Sequence, residues 1–518
     1  MALAELGKGE DMAIGADAKA GFVALNRFAF GARGGAYAGD LARAASDPRG
    51  LLKAELMQPG IAHLSAPTLP TTKAALQAAF AEQERIRIAR QNGAAQSPAP
   101  QMAGSANAEP PAARDGMGTP STPAPSDAAE APGGPGPEMS ARPKQPEPPV
   151  GQRQLRADAL ARFQRAARAE VGFAERLVHF WSNHFCISAA KGPLVRVTAG
   201  CFEREAIRPH VLGRFSAMLQ AVESHPAMLA YLDNALSFGP NSPAGRNRNR
   251  GLNENLAREI LELHTLGVDG GYTQADVTAL ARIITGWTFS GREGRLGEPG
   301  TPAFFPNGHE PGDHTLLGKV YAAGGVKQGE AALADLARHP ATARHIAGKL
   351  ARHFVADEPP PSLVDRLAKV FRETDGDLKA VAIALVDSDE AWTTPLAKMR
   401  TPEQFLLAAM RAIDRMPEDP GSLLGPLNVM GMPLWQPPGP NGWPDTVSAW
   451  ASPKAIKTRL DVAAAIAARV KDLVNPSELL ETIAGASASG ETRQAIARAE
   501  SRQQGLALLL MSPEFQWR

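Results

Sequence analysis

The amino-acid sequence predicts an all-α, or nearly all-α, fold: one large multi-helix globular domain with a disordered Pro/Ala/Gly-rich insertion. Three observations carry this prediction. Apolar residues recur at intervals of three and four along most of the chain. Alternating strand-like runs bounded by turn residues are scarce, and only the stretch near Thr288–Tyr321 suggests a hairpin. One long segment contains almost no large apolar residue.

Local helix signals support the periodic pattern. Ile346, Leu350 and Phe354 form one apolar stripe in a run that is otherwise polar or small. The sequence Thr273-Gln-Ala-Asp276 is typical of a capping box, so we expect a helix to begin there and to end near Gly286. Asp377 is expected to cap the short apolar helix that follows it.

The domain organisation follows from composition. Residues 1–20 are predicted to form a flexible N-terminal tail, and residues 91–150 a disordered insertion dominated by Pro, Ala, Gly and Ser. Such a segment cannot bury enough apolar surface to offset the entropy of ordering it. Helical patterns flank it on both sides, so residues 21–90 and 151–518 are predicted to form a single helical domain.

Charge and cysteine content exclude several classes of protein. Lys plus Arg (55) nearly balance Asp plus Glu (54) in this chain of 518 residues, which gives no general reason to bind nucleic acid or an anionic membrane. No stretch is apolar enough to span a membrane, and residues 1–20 lack the apolar core of a signal peptide. We therefore expect a soluble, cytoplasmic protein, with the periplasm as the alternative. Cys186 and Cys201 are expected to be free buried thiols rather than a disulfide.

The helical segment Glu254–Gly267 contains the best acid–base candidate. On a helical wheel at 100° per residue, Glu254, Arg258 and Glu262 form a charged ladder that is expected to be a salt-bridged helix face. Glu259 instead projects into the apolar stripe, where a lone charge is costly. A structural pair with Arg or His is the favoured interpretation of Glu259, and a catalytic carboxylate oriented by His264 is the other.

A second helical segment, Glu175–Ser188, places His184 among aromatic residues. A hydrogen-bonded core histidine is the favoured interpretation, and a catalytic partner of Glu259 is the alternative. His179 lies four residues after Glu175, which predicts an ordinary helical pair, because nothing in the local spacing supplies a third metal ligand.

The loop Phe304–Lys319 combines histidines and carboxylates with Gly and Pro. His309, Asp313 and His314 are candidate ligands of a divalent metal, because imidazole and carboxylate groups on one loop can converge on an ion. The equally favoured alternative is a solvated turn with a structural histidine.

Three of the seven tryptophans lie in Met432–Trp450, a stretch too rich in Pro and Gly for a helix. A packed irregular cap on the core is one interpretation. The other is a ligand-binding loop in which Trp435 and Trp443 stack on a small molecule while Asn441 and Asp445 supply polar contacts.

One predicted helix also carries a basic face. Arg344, Lys349 and Arg352 lie opposite the apolar stripe of HPATARHIAGKLARHF. A solvated face is the default for such a pattern, and an anion site is the alternative.

Together these segments resemble the bacterial domain of unknown function 1800 family. The resemblance rests on LNRFAFGARGG, FWSNHFCIS, NENLAREILELHTLGVDGGYTQADVTALARIITGW, GHEPGDHTLLGK, PNGWPD and LLLMSPEFQWR, and it covers nearly the whole chain outside the insertion. Ser182 stands where the family often has a histidine, and His314 where many members have another residue. The resemblance implies a helical fold without an assigned reaction. It also implies an exported, sulfatase-like partner family encoded nearby, which points to the periplasm.

Two functions follow as hypotheses. The first is an accessory or binding partner of a sulfatase-like protein, favoured by the balanced charge and the lack of a catalytic motif. The second is a hydrolase-type enzyme, metal-dependent if the loop holds an ion, with a site formed by Glu259, His184, His264 and His309. The sequence names no cofactor, substrate or oligomeric state.

Overall fold

A computed structural model shows a helical protein, as the sequence predicts, and describes residues 18–95, 147–248 and 251–518. Chain contacts divide it into two units, Met1–Ala81 with Val150–Arg518, and Glu82–Pro149. The predicted tail and insertion lie largely outside the described residues, at residues 1–17 and 96–146. Residues 18–20 and 91–95, which the sequence assigned to the tail and the insertion, are helical.

The α-helices are, in chain order, α1 Asp40–Ser46, α2 Pro48–Leu56, α3 Thr72–Ala95, α4 Val150–Arg168, α5 Phe173–His184, α6 Pro193–Phe202, α7 Phe215–Glu223, α8 Pro226–Tyr231, α9 Pro243–Arg248, α10 Asn255–Glu259, α11 Gln274–Ile283 and α12 Val326–Arg338. They continue with α13 Pro340–Phe354, α14 Pro361–Glu373, α15 Leu378–Asp387, α16 Glu390–Thr393, α17 Pro402–Ile413, α18 Gly421–Val429, α19 Val447–Trp450, α20 Pro453–Val470, α21 Pro476–Ile483, α22 Gly490–Ala497, α23 Arg502–Met511 and α24 Pro513–Gln516.

Shorter helical turns join these helices. Three are π-helical, at Ala24–Phe28, Glu203–Ile207 and Ile260–His264. The 3-10 turns are Gly35–Tyr37, Ala189–Lys191, Arg208–His210, Asn234–Leu236, Pro306–Gly308 and Gly485–Ser487.

The described strands form two small antiparallel pairs in the region where the sequence suggests a hairpin. The first pairs β1 (Trp287–Phe289) with β2 (Pro302–Phe304), with Thr288 opposite Ala303. The second pairs β3 (His314–Leu316) with β4 (Lys319–Tyr321).

The predicted helix starts are confirmed. Thr273 accepts the N–H of Asp276, and the Asp276 carboxylate accepts the N–H of Thr273, which completes the capping box of α11. Asp377 caps α15 by accepting the N–H of Ala380 at 3.0 Å. These caps form where expected because both partners lie within one turn of chain.

Two large apolar clusters form the core. The first includes Phe28, Phe173 and Trp181, and the second includes Phe163 and Phe405. The side chain of Trp435 packs against both. The two cysteines are free and buried, as expected, and burial raises the pKa of the Cys186 thiol to about 12, which keeps it un-ionised at neutral pH.

Buried arginines hold the irregular segments of the core by binding main-chain carbonyls. Arg411 donates to the carbonyl oxygens of Gly31 at 3.1 Å, Ala169 at 2.6 Å and Val171 at 3.1 Å. Arg27, in the N-terminal motif, donates to the carbonyls of Thr394 and Pro395. A planar guanidinium suits this task because its five donors satisfy several buried acceptors at once.

Candidate functional site

A small cavity opens between α5, the beginning of α17 and the tryptophan-containing loop. Its free volume is about 60 Å³, room for a few water molecules or one reacting group. The polar residues on its wall include Arg162, His179, Ser182, Asn183, His353, Glu403 and Asp445, and the aromatic ones are Trp435 and Trp443. We call it the His179 cavity.

Two helix starts position its residues. At the start of α5, the buried Glu55 carboxylate accepts the main-chain N–H groups of Gly172, Phe173 and Ala174 at 2.7–3.1 Å, so a distant side chain caps the helix. At the start of α17, Thr401 and Gln404 form a capping box that fixes Glu403 in the first turn. Both helices therefore present their first turns in a defined orientation.

His179 is the unusual group in this cavity. Its side chain is 5% exposed, and neither ring nitrogen has a hydrogen-bond partner. Its Nδ1 lies 3.6 Å from Oε2 of Glu403, longer than a hydrogen bond. Burial, reinforced by the charges of Arg162 and Arg208, lowers the pKa of His179 well below its usual range. The imidazole is therefore neutral at neutral pH.

A buried ionic network lies beneath His179. Arg162 forms ion pairs with Glu403 and, at 2.6 Å, with Glu203. Arg208 links Glu203 at 3.0 Å to Glu175, with which it forms two hydrogen bonds of 2.9 and 3.0 Å. Burial alone would raise the pKa of Glu203, but Arg162 and Arg208 outweigh it and lower that pKa. The network therefore keeps the Glu203 carboxylate ionised in the core.

His353 and Asp445 form a hydrogen-bonded pair on another wall. His353 Nδ1 lies 2.6 Å from Oδ2 of Asp445, and its Nε2 lies 3.3 Å from the guanidinium of Arg176. Because arginine only donates, Nε2 accepts and Nδ1 carries the proton. Burial lowers the pKa of His353 to about 4. Burial would raise the pKa of Asp445, but His353, Lys398 and Arg518 hold it well below its usual range.

The tryptophan-containing loop is fixed to α5 by one side chain. The Asn183 amide donates to the carbonyl of Trp443 at 2.9 Å and accepts the N–H of Trp443 at 2.8 Å. Gly442 has a φ of +77°, and a Cβ there would lie 2.5 Å from the carbonyl oxygen of Asn183, so only glycine fits. Trp435 also has a positive φ, 51°, a rare conformation for a bulky residue that often marks a functional site.

A second, larger cavity adjoins the first, with a volume of about 710 Å³. Asn183, Trp443, Pro444 and Asp445 line both cavities. The second is also lined by His184, Asn441 and one face of α13, so we call it the α13 cavity. Of the loop residues predicted to bind a ligand, Trp435, Trp443 and Asp445 thus line the His179 cavity, and Asn441 lines its neighbour.

The comparison with protein families gives one decisive match. The family model described as "Protein of unknown function (DUF1800)" matches residues 23–517. The chain belongs to this family. A search of curated proteins and a search of solved structures find no match to this DUF1800 protein. Among the described residues, no helix is long and apolar enough to cross a membrane.

The predicted catalytic residues of this DUF1800 protein lie apart from His179. His184 is buried and its Nε2 lies 3.2 Å from the main-chain oxygen of His264. His264 forms a buried pair with Glu223, whose Oε1 lies 2.8 Å from Nδ1. Glu259 is half-buried and faces neither cavity, and burial raises its pKa. Its catalytic role therefore stays a prediction, while the Glu–His pair of this region uses Glu223.

The predicted metal ligands do not converge. His309 Nδ1 lies 2.9 Å from the main-chain oxygen of Thr285, Asp313 accepts the N–H of Ala323 at 2.8 Å, and His314 lies on β3. Within residues 18–95, 147–248 and 251–518, no three His, Cys, Asp or Glu side chains are close enough to share a metal ion. His309 and Asp313 instead bind main-chain groups outside the loop, at Thr285 and Ala323.

The sequence analysis missed the central residues of the His179 cavity. It paired His179 with Glu175, but Glu175 binds Arg208, and His179 faces Glu403 from a distant helix. No pattern in the sequence indicated a role for His353, because it lies in a run with an ordinary amphipathic pattern. The only local signal for this cavity was a histidine that stands between apolar residues on one face of a helix.

The buried histidines predict loss of stability in acid. The pKa values of His345 and His353 are lowered from 6.5 to about 4, so below pH 6.5 the unfolded chain binds protons that the folded chain does not. The free energy of unfolding is therefore expected to fall as the pH drops from about 7 to about 5, by roughly 1.4 kcal/mol per pH unit for each such histidine.

Urea unfolding at several pH values measures this slope. The slope of the unfolding free energy against pH gives the number of protons taken up on unfolding. Near pH 5, His345→Gln should reduce this number by about one, whereas His63→Gln, at an exposed position, should leave the slope unchanged. A free energy of unfolding that is flat between pH 7 and pH 5 would contradict the prediction.

Proposed function

We propose that this DUF1800 protein is a hydrolase-type enzyme with His179 as its general base. One observation carries the proposal: His179 is buried, lines a cavity and has no partner at either ring nitrogen. Leaving two buried polar atoms unpaired costs free energy, and such groups concentrate at sites where a substrate or water completes the hydrogen bonds.

The surroundings of His179 suit proton transfer. The neutral imidazole would accept a proton from a water molecule held in the cavity. The Glu403 carboxylate lies 3.6 Å from Nδ1 and forms an ion pair with Arg162, and it would stabilise the imidazolium that forms. Because Glu403 already forms an ion pair with Arg162, it would not itself accept the proton, and His179 would be the base.

The walls of the cavity suit a bound organic molecule. Trp435 and Trp443 supply apolar surface, and the His353–Asp445 pair presents a fixed neutral imidazole across from His179. Glu259, His184, His264 and His309, the hydrolase site expected from the sequence, remain a separate hypothesis. The accessory role beside a sulfatase-like protein rests on the family resemblance, the balanced charge and the lack of a recognised catalytic motif in the sequence.

A turnover assay tests the base. The purified full chain is incubated with p-nitrophenyl esters, phosphates, sulfates and glycosides. His179→Gln is expected to lower turnover at least 100-fold, whereas His63→Gln, at an exposed position, should leave it unchanged. Turnover that survives in His179→Gln would refute the role of His179.

A stability measurement separates catalysis from structure even when the substrate is missing from that panel. Because His179 makes no hydrogen bond, His179→Leu should leave the free energy of unfolding unchanged or raise it by about 1 kcal/mol. A decrease of more than about 2 kcal/mol would show that the ring is structural and would overturn the proposal.

A further inference from the structure

The α13 cavity has a basic wall on one face of its helix. His345, Lys349 and Arg352 follow one another at intervals of four and three residues, so all three lie on the side of α13 that lines the cavity. Arg344, at the rim, is neutralised by Asp365 at 2.7 Å. Because burial lowers the pKa of His345 to about 4, the positive charge of this wall comes from Lys349 and Arg352, and neither forms an ion pair with another residue that the structure describes.

Lys349 is the centre of this wall. It is half-buried, and within the described residues its ammonium forms no hydrogen bond or ion pair. Lys398 shows the contrast: it is 1% exposed, and its Nζ lies 2.6 Å from Asp357 and 3.3 Å from Asp445. Burial lowers the pKa of Lys349 to about 8, as expected for a cation without a counter-ion.

The acidic residues near Lys349 do not serve as its counter-ion. Asp445 lines the cavity but is engaged by His353, Lys398 and Arg518. Asp269 is an exposed residue on the wall formed by residues 263–270, and it makes no ion pair with any residue in the described part of the chain. An anion that neutralises Lys349 must therefore enter from solution.

Gly348 leaves room for such an anion. A Cβ at this position would meet no atom within 4 Å, so the space beside Lys349 is open. Glycine is unfavourable inside a helix compared with alanine. Here it keeps the cavity wall clear beside the ammonium group. Among the described residues, the guanidinium of Arg352 makes a hydrogen bond only through its Nε, which donates to the carbonyl of Asp357 at 3.1 Å.

We propose that the α13 cavity binds the oxyanion group of the substrate, a carboxylate, phosphate or sulfate, on Lys349 and Arg352. That the bound anion is a substrate rests on the function proposed for His179, because the two cavities share Asn183, Trp443 and Asp445. The His179 cavity holds only a small group, so the body of the molecule lies in the larger cavity beside it. The substrate class is thus a small organic anion.

Binding of simple anions tests this site without any turnover. Inorganic phosphate, sulfate and acetate are titrated into the full chain and followed by calorimetry, and the three arms show which oxyanion the site prefers. Lys349→Met is expected to weaken binding at least tenfold. It should fold normally, because Lys349 has no partner to lose. Lys457→Met, at an exposed helical pair with Asp461, should bind as the parent protein does.

A second variant tests the space rather than the charge. Gly348→Leu keeps Lys349 but fills the opening, and it should also weaken anion binding at least tenfold. Folded parent protein that binds none of the three anions, or Lys349→Met that binds them equally well, would overturn the proposal. His179→Gln should bind anions normally. If His179→Gln keeps full turnover, the function proposed for His179 fails while the anion site stands. If Lys349→Met binds the anions as the parent protein does, the anion site fails while the role of His179 stands.

Discussion

Replacing Arg208 with methionine is expected to destabilise the protein by about 3–5 kcal/mol, at the upper end of that range. Arg208 is fully buried, with two hydrogen bonds to Glu175 and one to Glu203. Methionine fills much of the same volume, but it leaves the carboxylates of Glu175 and Glu203 in the core without the positive charge of Arg208. Removing one partner of a buried ion pair costs more than the pair contributes, because the remaining charge stays desolvated.

The pH dependence identifies the cause of this loss. Arg208 helps to lower the pKa of Glu203, so without it that pKa should rise, the variant takes up a proton as the pH falls, and the penalty shrinks. The difference in unfolding free energy between parent and variant should therefore be smaller at pH 5 than at pH 7.5. Arg338→Met, in an exposed pair with Asp375, should cost about 0–1 kcal/mol at both. Equal losses in the two variants would contradict the prediction.

Asp445→Asn is expected to lower the free energy of unfolding by about 3 kcal/mol. Asp445 accepts the Nδ1–H of His353 and lies 3.3 Å from Nζ of Lys398 and 3.8 Å from the Arg518 guanidinium. Asparagine keeps the shape but removes the charge that balances these cations. Its NH₂ group would also face donors, leaving buried groups unpaired.

Urea unfolding at pH 7.5 measures the effect. Asp461→Asn is the matched control, because Asp461 pairs with Lys457 on the exposed surface of α20 and its loss should cost at most about 0.5 kcal/mol. Asp445→Asn should also lower the pKa of His353 further, because the carboxylate that favours the protonated imidazole is lost while burial remains. If Asp445→Asn is as stable as Asp461→Asn, Asp445 does not balance the buried cations.

The helix starts were predictable from the sequence because their physics is local. Thr273 and Asp276 satisfy each other across three residues, and Asp377 caps the next turn, so no distant part of the chain has to be known. The predicted ion pair of Glu254 with Arg258 also forms, at 3.3 Å, for the same reason.

The helical wheel over Glu254–Gly267 was wrong in its second half. The α-helix ends at Glu259, and a π-helical turn follows at Ile260–His264. The wider turn shifts every later side chain around the axis, so Leu263 is half-buried on the α13 cavity while Leu261 is fully buried. A wheel at 100° per residue contains no signal for such a turn.

The sequence by itself determined the family, the helical class, the two free thiols and the capped helices, because periodicity, composition and short-range hydrogen bonds lie within a few residues of chain. For the tryptophan-containing loop it left two interpretations open, a packed cap on the core and a ligand-binding loop. Only the tertiary structure decided which polar groups meet: His179 with Glu403, and His353 with Asp445, are separated by 224 and 92 residues. The predicted helical fold is thus the scaffold of two adjoining cavities. Side chains become buried, and polar atoms are left unpaired, only when distant helices pack together.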